Sequence, residues 1–250
     1  MSSIPKKVSD RLAQEVKKYQ RILEGSKNKD VNEADTVTII TDILADVFGY
    51  DKYTEITREQ AIRGTFCDLA IQLNGKTQFL IEAKAIGLEL NETHLRQAIN
   101  YGANHGVRWI VLTNGVVWEV YHIREQIPVE YDLVCKINFL EINARKIDDQ
   151  SQLFLLCKEG VQKSAIENFH LHIQSVNKFM VAAVILSDPI VNIIRREIKK
   201  IADGIKVTNE EIEEIIRTET LKREVVDGDA AKEAEKRVKK SLQKIIKKAA

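Results

Sequence analysis

Asp68, Glu82 and Lys84 are the residues of this chain whose types and spacing could do chemistry. Two carboxylates on neighbouring strands repel each other unless something positive sits between them. A magnesium ion suits that place. It prefers hard oxygen ligands, accepts one or two carboxylates, and fills its remaining positions with water and substrate phosphate. Once bound, it lowers the pKa of its water and neutralises charge that develops on a phosphoryl group under attack. Lys84 follows Glu82 by two residues, so on a strand it points to the same side. It can then orient the attacking water or stabilise the new charge. Two acids, a lysine and a metal suffice to hydrolyse a phosphodiester. On the strands alone, the competing reading is an exposed charge ladder worth ~0.2–1 kcal/mol.

The elements that must position these groups are legible in the periodicity. Residues 66–73 alternate, with Cys67, Leu69, Ile71 and Leu73 on one face and Asp68, Ala70 and Gln72 on the other. Asn74-Gly75-Lys76 is a turn, and residues 77–85 return with Phe79, Ile81 and Ala83 alternating against Leu80, Glu82 and Lys84. A slip of one residue turns every side chain over. Aligning the two apolar faces therefore forces Asp68 beside Glu82 and Lys84. A plain two-residue turn at Asn74-Gly75 would set the two acids on opposite faces, so the pattern predicts an odd-length connection or a bulge. The helix expected over Asn91 to His105 has Leu95, Ala98, Ile99 and Gly102 as its core stripe. Gln97 and Tyr101, four apart, are expected on a separate face with His94 alongside, able to reach a phosphate or a base edge. An ordinary polar helix face accounts equally well for any single Gln/Tyr pair.

Taken in order, Asp68, then Glu82-Ala83-Lys84, then Gln97-x-x-x-Tyr101 resemble the PD-(D/E)XK nucleases that carry a Q-x-x-x-Y motif. Among them the chain is most similar to the N-terminal nuclease domain of type I restriction enzyme R subunits, the HsdR N-terminal family. The segment from Ile110 to Tyr121, IVLTNGVVWEVY, is similar to the strand-turn-strand of that family, and the resemblance spans about residues 30 to 145. It implies an α/β fold with a restriction-endonuclease-like mixed central sheet flanked by helices. It also implies Mg²⁺ (or Mn²⁺) held by Asp68, Glu82 and the Ala83 carbonyl, with Lys84 positioning or activating water. Gln97 and Tyr101 would shape the site and touch the DNA backbone. Glu33 stands where many relatives carry a helical glutamate that faces the site. The sequence departs from the pattern at Cys67, which takes the place of the proline in the motif's name. No Walker A glycine loop is present, so the expectation is a standalone relative without the helicase motor.

Around this region the chain reads as helices over residues 5 to 24 and about 37 to 48, a short β-rich stretch at 53 to 57, and a hairpin turning at Asn114-Gly115. Weak strand character continues to about Leu140. Beyond Ile142 the pattern is helical: residues 148–157, one long helix over 161–186, a start at Ser187-Asp188-Pro189, a capping box at Thr208-x-x-Glu211, and a last helix from about Asp229. The expected division is residues 1–145 as the nuclease-like domain and 146–250 as a helical region.

Composition bounds the rest. With 44% apolar and 30% charged residues the chain should fold as an ordinary soluble protein, and eleven Gly with three Pro leave little room for long linkers. A net charge of +1 supplies no global basic field, so any nucleic-acid binding must be local. The last helix offers such a patch in Arg237, Lys239, Lys240, Lys244, Lys247 and Lys248, which a solvated helix face explains as well. Its broad apolar stripe could equally pack on a second copy. Cys67, Cys135 and Cys157 form no CxxC pair and suggest reduced thiols in a cytoplasmic setting rather than disulfides or zinc. No apolar run approaches the ~20 residues needed to cross a bilayer. The leading expectation is a Mg²⁺-dependent DNA endonuclease serving restriction or defence. The alternative is a catalytically weak or inactive nucleic-acid-binding or interaction module on a nuclease scaffold.

Overall fold

The structure is a computed structural model and describes residues 3–62, 65–124, 126–202 and 204–249, with the side chains of 59–66 and 245–249 outside that description. In chain order the elements are α1 (Lys6–Asn28), α2 (Glu33–Asp46), β1 (Ile56–Ile62), β2 (Thr65–Leu73), β3 (Lys76–Ala83), α3 (Glu92–His105), β4 (Trp109–Thr113), β5 (Val117–Ile123) and β6 (Tyr131–Asn138). There follow α4 (Ile147–Phe154), α5 (Lys158–Gln162), α6 (Ala165–Ser175), α7 (Lys178–Ile185), α8 (Asp188–Ile201), α9 (Asn209–Ile215), α10 (Arg223–Val226) and α11 (Asp229–Ala249).

The expected α/β architecture is present. Among the described residues the strands form one mixed sheet in the order β1-β2-β3-β4-β5-β6. β3 and β4 are parallel and the other pairs antiparallel. Parallel neighbours need a crossover, and α3 provides it. Its Leu95, Ala98 and Ile99 pack over Ala70, Leu80, Ile110 and Leu112 on one face of the sheet. On the other side Phe48, just past α2, meets the Trp118 ring of β5 edge-on at 5.3 Å. Gln20 of α1 donates to the Phe139 and Ile142 carbonyls at 3.0 and 2.8 Å, fixing that helix against the chain beyond β6.

The β2–β3 hairpin resolves the register conflict with a bulge. Asn74 (φ 53°) and Gly75 (φ 73°) both take left-handed conformations, as a tight two-residue turn demands. Leu73 pairs directly with Lys76 across that turn. One step on, Gln72 pairs with Thr77 but Ile71 pairs with Phe79, so Gln78 is the extra residue. The register Leu69–Ile81, continued by one, brings Asp68 opposite Glu82.

Compact packing divides the chain at Phe169/His170, later than the expected 145/146. The reason is that α4 and α5 are tied into the first unit. Arg11 grips the Glu159 carboxylate through two hydrogen bonds of 2.8 Å, and the Tyr50 hydroxyl donates to the Leu156 carbonyl at 2.8 Å. Between α4 and α5 the chain also folds back on itself. A Cβ added at Gly160 would overlap the Phe154 carbonyl oxygen. Gly160→Ala is therefore expected to destabilise the first unit by about 1–3 kcal/mol, read as a lower urea midpoint.

The single helix expected over 161–186 is three. Ser164 (φ 52°) breaks it once with a left-handed residue. Asn177 breaks it again by accepting the Met180 amide as an N-cap. Within the second unit, Leu186, Val191, Ile212 and Ile216 form one core cluster. Ala183, Ala234 and Val238 join α7 to α11 in another. The capping box at Thr208 and Glu211 is present as the sequence predicts. Among the described residues no helix is long and apolar enough to cross a membrane.

Candidate active site

The β2–β3 ladder stops at Leu69–Ile81, and the acids sit where the strands part. There side chains take over ladder positions. The Asp68 carboxylate accepts the Ala83 amide at 2.8 Å, and the Cys67 thiol donates to the Ile81 carbonyl at 3.1 Å. Strict alternation would turn Cys67 away from α3, yet it joins the α3-side core because the ladder has ended. Burial pushes its thiol up to about 12, so it is neutral and serves as a hydrogen-bonding filler in the motif's proline position.

Glu82 is 3% exposed. It follows Leu80 on the α3-facing side and lies in register with Leu112. Lys84 Nζ donates to Glu82 Oε1 at 2.7 Å and stands 3.6 Å from Glu33 Oε2, which reaches in from the first turn of α2. Burial pushes the Glu82 carboxyl up to about 7. The Lys84 hydrogen bond opposes this, and repulsion from Asp68 and Glu33 adds to it. For Lys84 burial works in the other direction, but Glu82, Asp68 and Glu33 outweigh it and hold the ammonium above its ordinary value. Burial is thus the first cause of the Glu82 shift, while the acidic neighbours hold Lys84 charged. Hard oxygen donors gathered on parting strands are the ligand type that a divalent cation such as Mg²⁺ takes.

The structure brings together Asp68, Glu82, Ala83, Lys84 and Glu33. It separates Gln97 from Tyr101. Gln97 is exposed on α3, whereas Tyr101 is 3% exposed in the core beside Leu95, Ala98 and Ile99, its ring stacked on His105 at 4.4 Å. Tyr101 therefore does not share the expected face with Gln97, and its ring packs in the α3–sheet interface. The helical stripe is wider than the expected one, so a residue four from Gln97 falls at its edge and is buried. Lys239, Lys240 and Lys244 are exposed on α11 in the second unit, where Arg237 donates to the Gln174 carbonyl at 3.2 Å. The side chains of Lys247 and Lys248 lie outside the described residues.

Sequence reasoning missed the residues that brace the segment after Lys84. Thr36 accepts the Ile86 amide at 3.1 Å, and Asn114 donates to the Leu88 carbonyl at 2.9 Å while accepting the Val117 amide at 2.8 Å. Asn114-Gly115 signals a turn, and nothing in the sequence pattern reveals its second bond. Thr36 gives no sequence signal.

Two acids and a lysine thus stand at the point where strands of a mixed α/β sheet part. Residues 39–137 match the family model of the type I restriction enzyme R protein N terminus, from within α2 to the end of β6. That similarity places the domain in a restriction-enzyme, nuclease-like relationship and suggests the use of a divalent metal. No curated protein and no solved structure matches the chain.

Proposed function

We propose that the first unit is a metal-dependent DNA endonuclease that hydrolyses phosphodiesters, in the service of restriction. The observation that carries this reading is the convergence of Asp68, Glu82 and Lys84 at the open end of the β2–β3 hairpin, with Glu33 completing the cluster. Asp68, Glu82 and the Ala83 carbonyl would hold Mg²⁺ or Mn²⁺. When bound, the metal supplies an acidified water and neutralises charge on the scissile phosphate.

This chain's own residues do the rest. Asp68 is pre-aimed by the Ala83 amide, so its orientation costs little on binding. Lys84, held charged by its acidic neighbours, acts as a cationic donor that orients water and meets developing negative charge, rather than as a base. Glu33 gives that ammonium a second anionic neighbour. Gln97, exposed on α3, is the group suited to a phosphate contact, and Tyr101 supports the helix that carries it. Lys239, Lys240 and Lys244 provide phosphate-binding charge in the second unit.

The 2.7 Å Lys84–Glu82 pair favours one other reading, because a site closed upon itself suits a DNA-binding or interaction module that does not cut. One experiment separates them. Plasmid and linear DNA are incubated with the full chain in Mg²⁺ or Mn²⁺ and, in parallel, with a chelator. Cleavage with the divalent ion and none with the chelator is expected. Intact DNA under both conditions, with retention that is indifferent to the ion, would establish the module instead.

A further inference from the structure

Thr36 is fully buried on α2, and its hydroxyl serves two separate pieces of backbone. Oγ1 donates to the Asn32 carbonyl at 2.8 Å and accepts the Ile86 amide at 3.1 Å. The first bond is routine for a helical threonine. Thr38 and Thr41 bond the same way, to the Ala34 and Val37 carbonyls. The second is not local, since it ties α2 to a chain segment fifty residues later. Glu33 lies one turn before Thr36, and Lys84 two residues before Ile86. One hydroxyl thus links the Asn32 carbonyl, one residue before Glu33, to the Ile86 amide, two residues after Lys84, and the Glu33 and Lys84 side chains face each other at 3.6 Å. On the sheet side the same segment is held by the Lys84 amide donating to Thr113 (2.9 Å) and by Asn114 donating to Leu88 (2.9 Å).

We infer that Thr36 is a positioning residue for Lys84 and Glu33 in DNA cleavage, an inference that rests on the nuclease reading. With β4 fixing one side of the segment, the Thr36 bond sets how far α2 stands from it. The separation of Glu33 from Lys84 follows, and with it the direction of the ammonium. A change of about 1 Å in such placement is worth on the order of 100-fold in rate.

The test compares Thr36→Val, which keeps shape but removes the acceptor, with Thr36→Ser, which retains it. In the valine variant kcat should fall about 10- to 100-fold with KM nearly unchanged, because the loss is in orientation and not in substrate binding. Amide hydrogen exchange at Ile86 should accelerate, and serine should restore both quantities. In a Glu33→Gln background the valine change should cost less, since the two act through one ammonium. Thr36→Cys, a weaker acceptor of similar size, is measured alongside in case the valine variant does not fold; its kcat should be intermediate. A cleaving wild type whose valine or cysteine variant keeps full kcat, merely melting lower, would overturn the role of Thr36 alone. A wild type that leaves DNA intact would overturn the nuclease reading and this inference with it.

Discussion

Alanine at Asp68 or at Lys84 is expected to lower divalent-dependent DNA cleavage by about 10²–10³-fold, the usual consequence of deleting one charge aimed at a transition state. The two variants should fail for different reasons. Without the Asp68 carboxylate the Ala83 amide loses its 2.8 Å acceptor, so the metal loses a ligand and the end of β3 loses its anchor. Asp68→Asn separates these effects, because an amide oxygen can still accept that bond while the charge is gone. Its cleavage should stay low as its urea midpoint recovers. Lys84→Ala removes the hydrogen bond that opposes protonation of Glu82, leaving that carboxyl among negative neighbours. It should therefore lose cleavage and also hold its Glu82 proton to higher pH. Initial rates on linear DNA in Mn²⁺ check both substitutions. Rates within about threefold of wild type in both variants would place the chemistry elsewhere.

The register of this hairpin is open to reading because burial has a period. The apolar faces of residues 67–73 and 79–83 have to meet, and the conflict with the Asn74-Gly75 turn requires an extra residue, which the structure supplies at Gln78. What periodicity cannot express is where a ladder ends. Cys67 is misplaced by extrapolating regular alternation into the place where β2 and β3 part, and Tyr101 by assuming too narrow an apolar stripe on α3. Where the strands part, a thiol and a carboxylate replace backbone partners, and on α3 the core widens to take in a tyrosine. Resemblance alone points to Glu33, and the structure sets it against Lys84. Thr36 and Asn114 are invisible for a different reason. Their contributions are bonds between segments remote in sequence, made by side chains common in helices and turns. The packing of α4 and α5 on the first unit belongs to the same class, since the Arg11–Glu159 pair joins residues 148 apart.

The second large effect is expected at Glu82, where function and stability should pull in opposite directions. In the unfolded chain a glutamate titrates near 4.5; in the fold burial raises this carboxyl to about 7. Between those values the native state retains a proton that the unfolded state has released. Stability therefore falls as pH rises through the interval, and the full penalty, about 3 kcal/mol, is present above neutrality. Glu82→Gln does not titrate. In chelator its stability should match wild type near pH 4.5 and exceed it by about 3 kcal/mol at pH 8, with the gap opening between the two. Manganese should reverse the order. The ion requires the ionised carboxylate, so wild type gains stability as RT ln(1 + [Mn²⁺]/Kd), increasingly with pH up to about 7, and the glutamine variant gains little. Urea midpoints at pH 5 and pH 8, each in chelator and in Mn²⁺, make four comparisons. If the two proteins ran parallel in all four, the Glu82 carboxyl would be neither raised by burial nor a metal ligand. A crossing that depends on the ion would mean that the fold tolerates a buried, surplus negative charge which only a cation relieves. A charge ladder has no need of such an arrangement, whereas a hydrolytic metal site does.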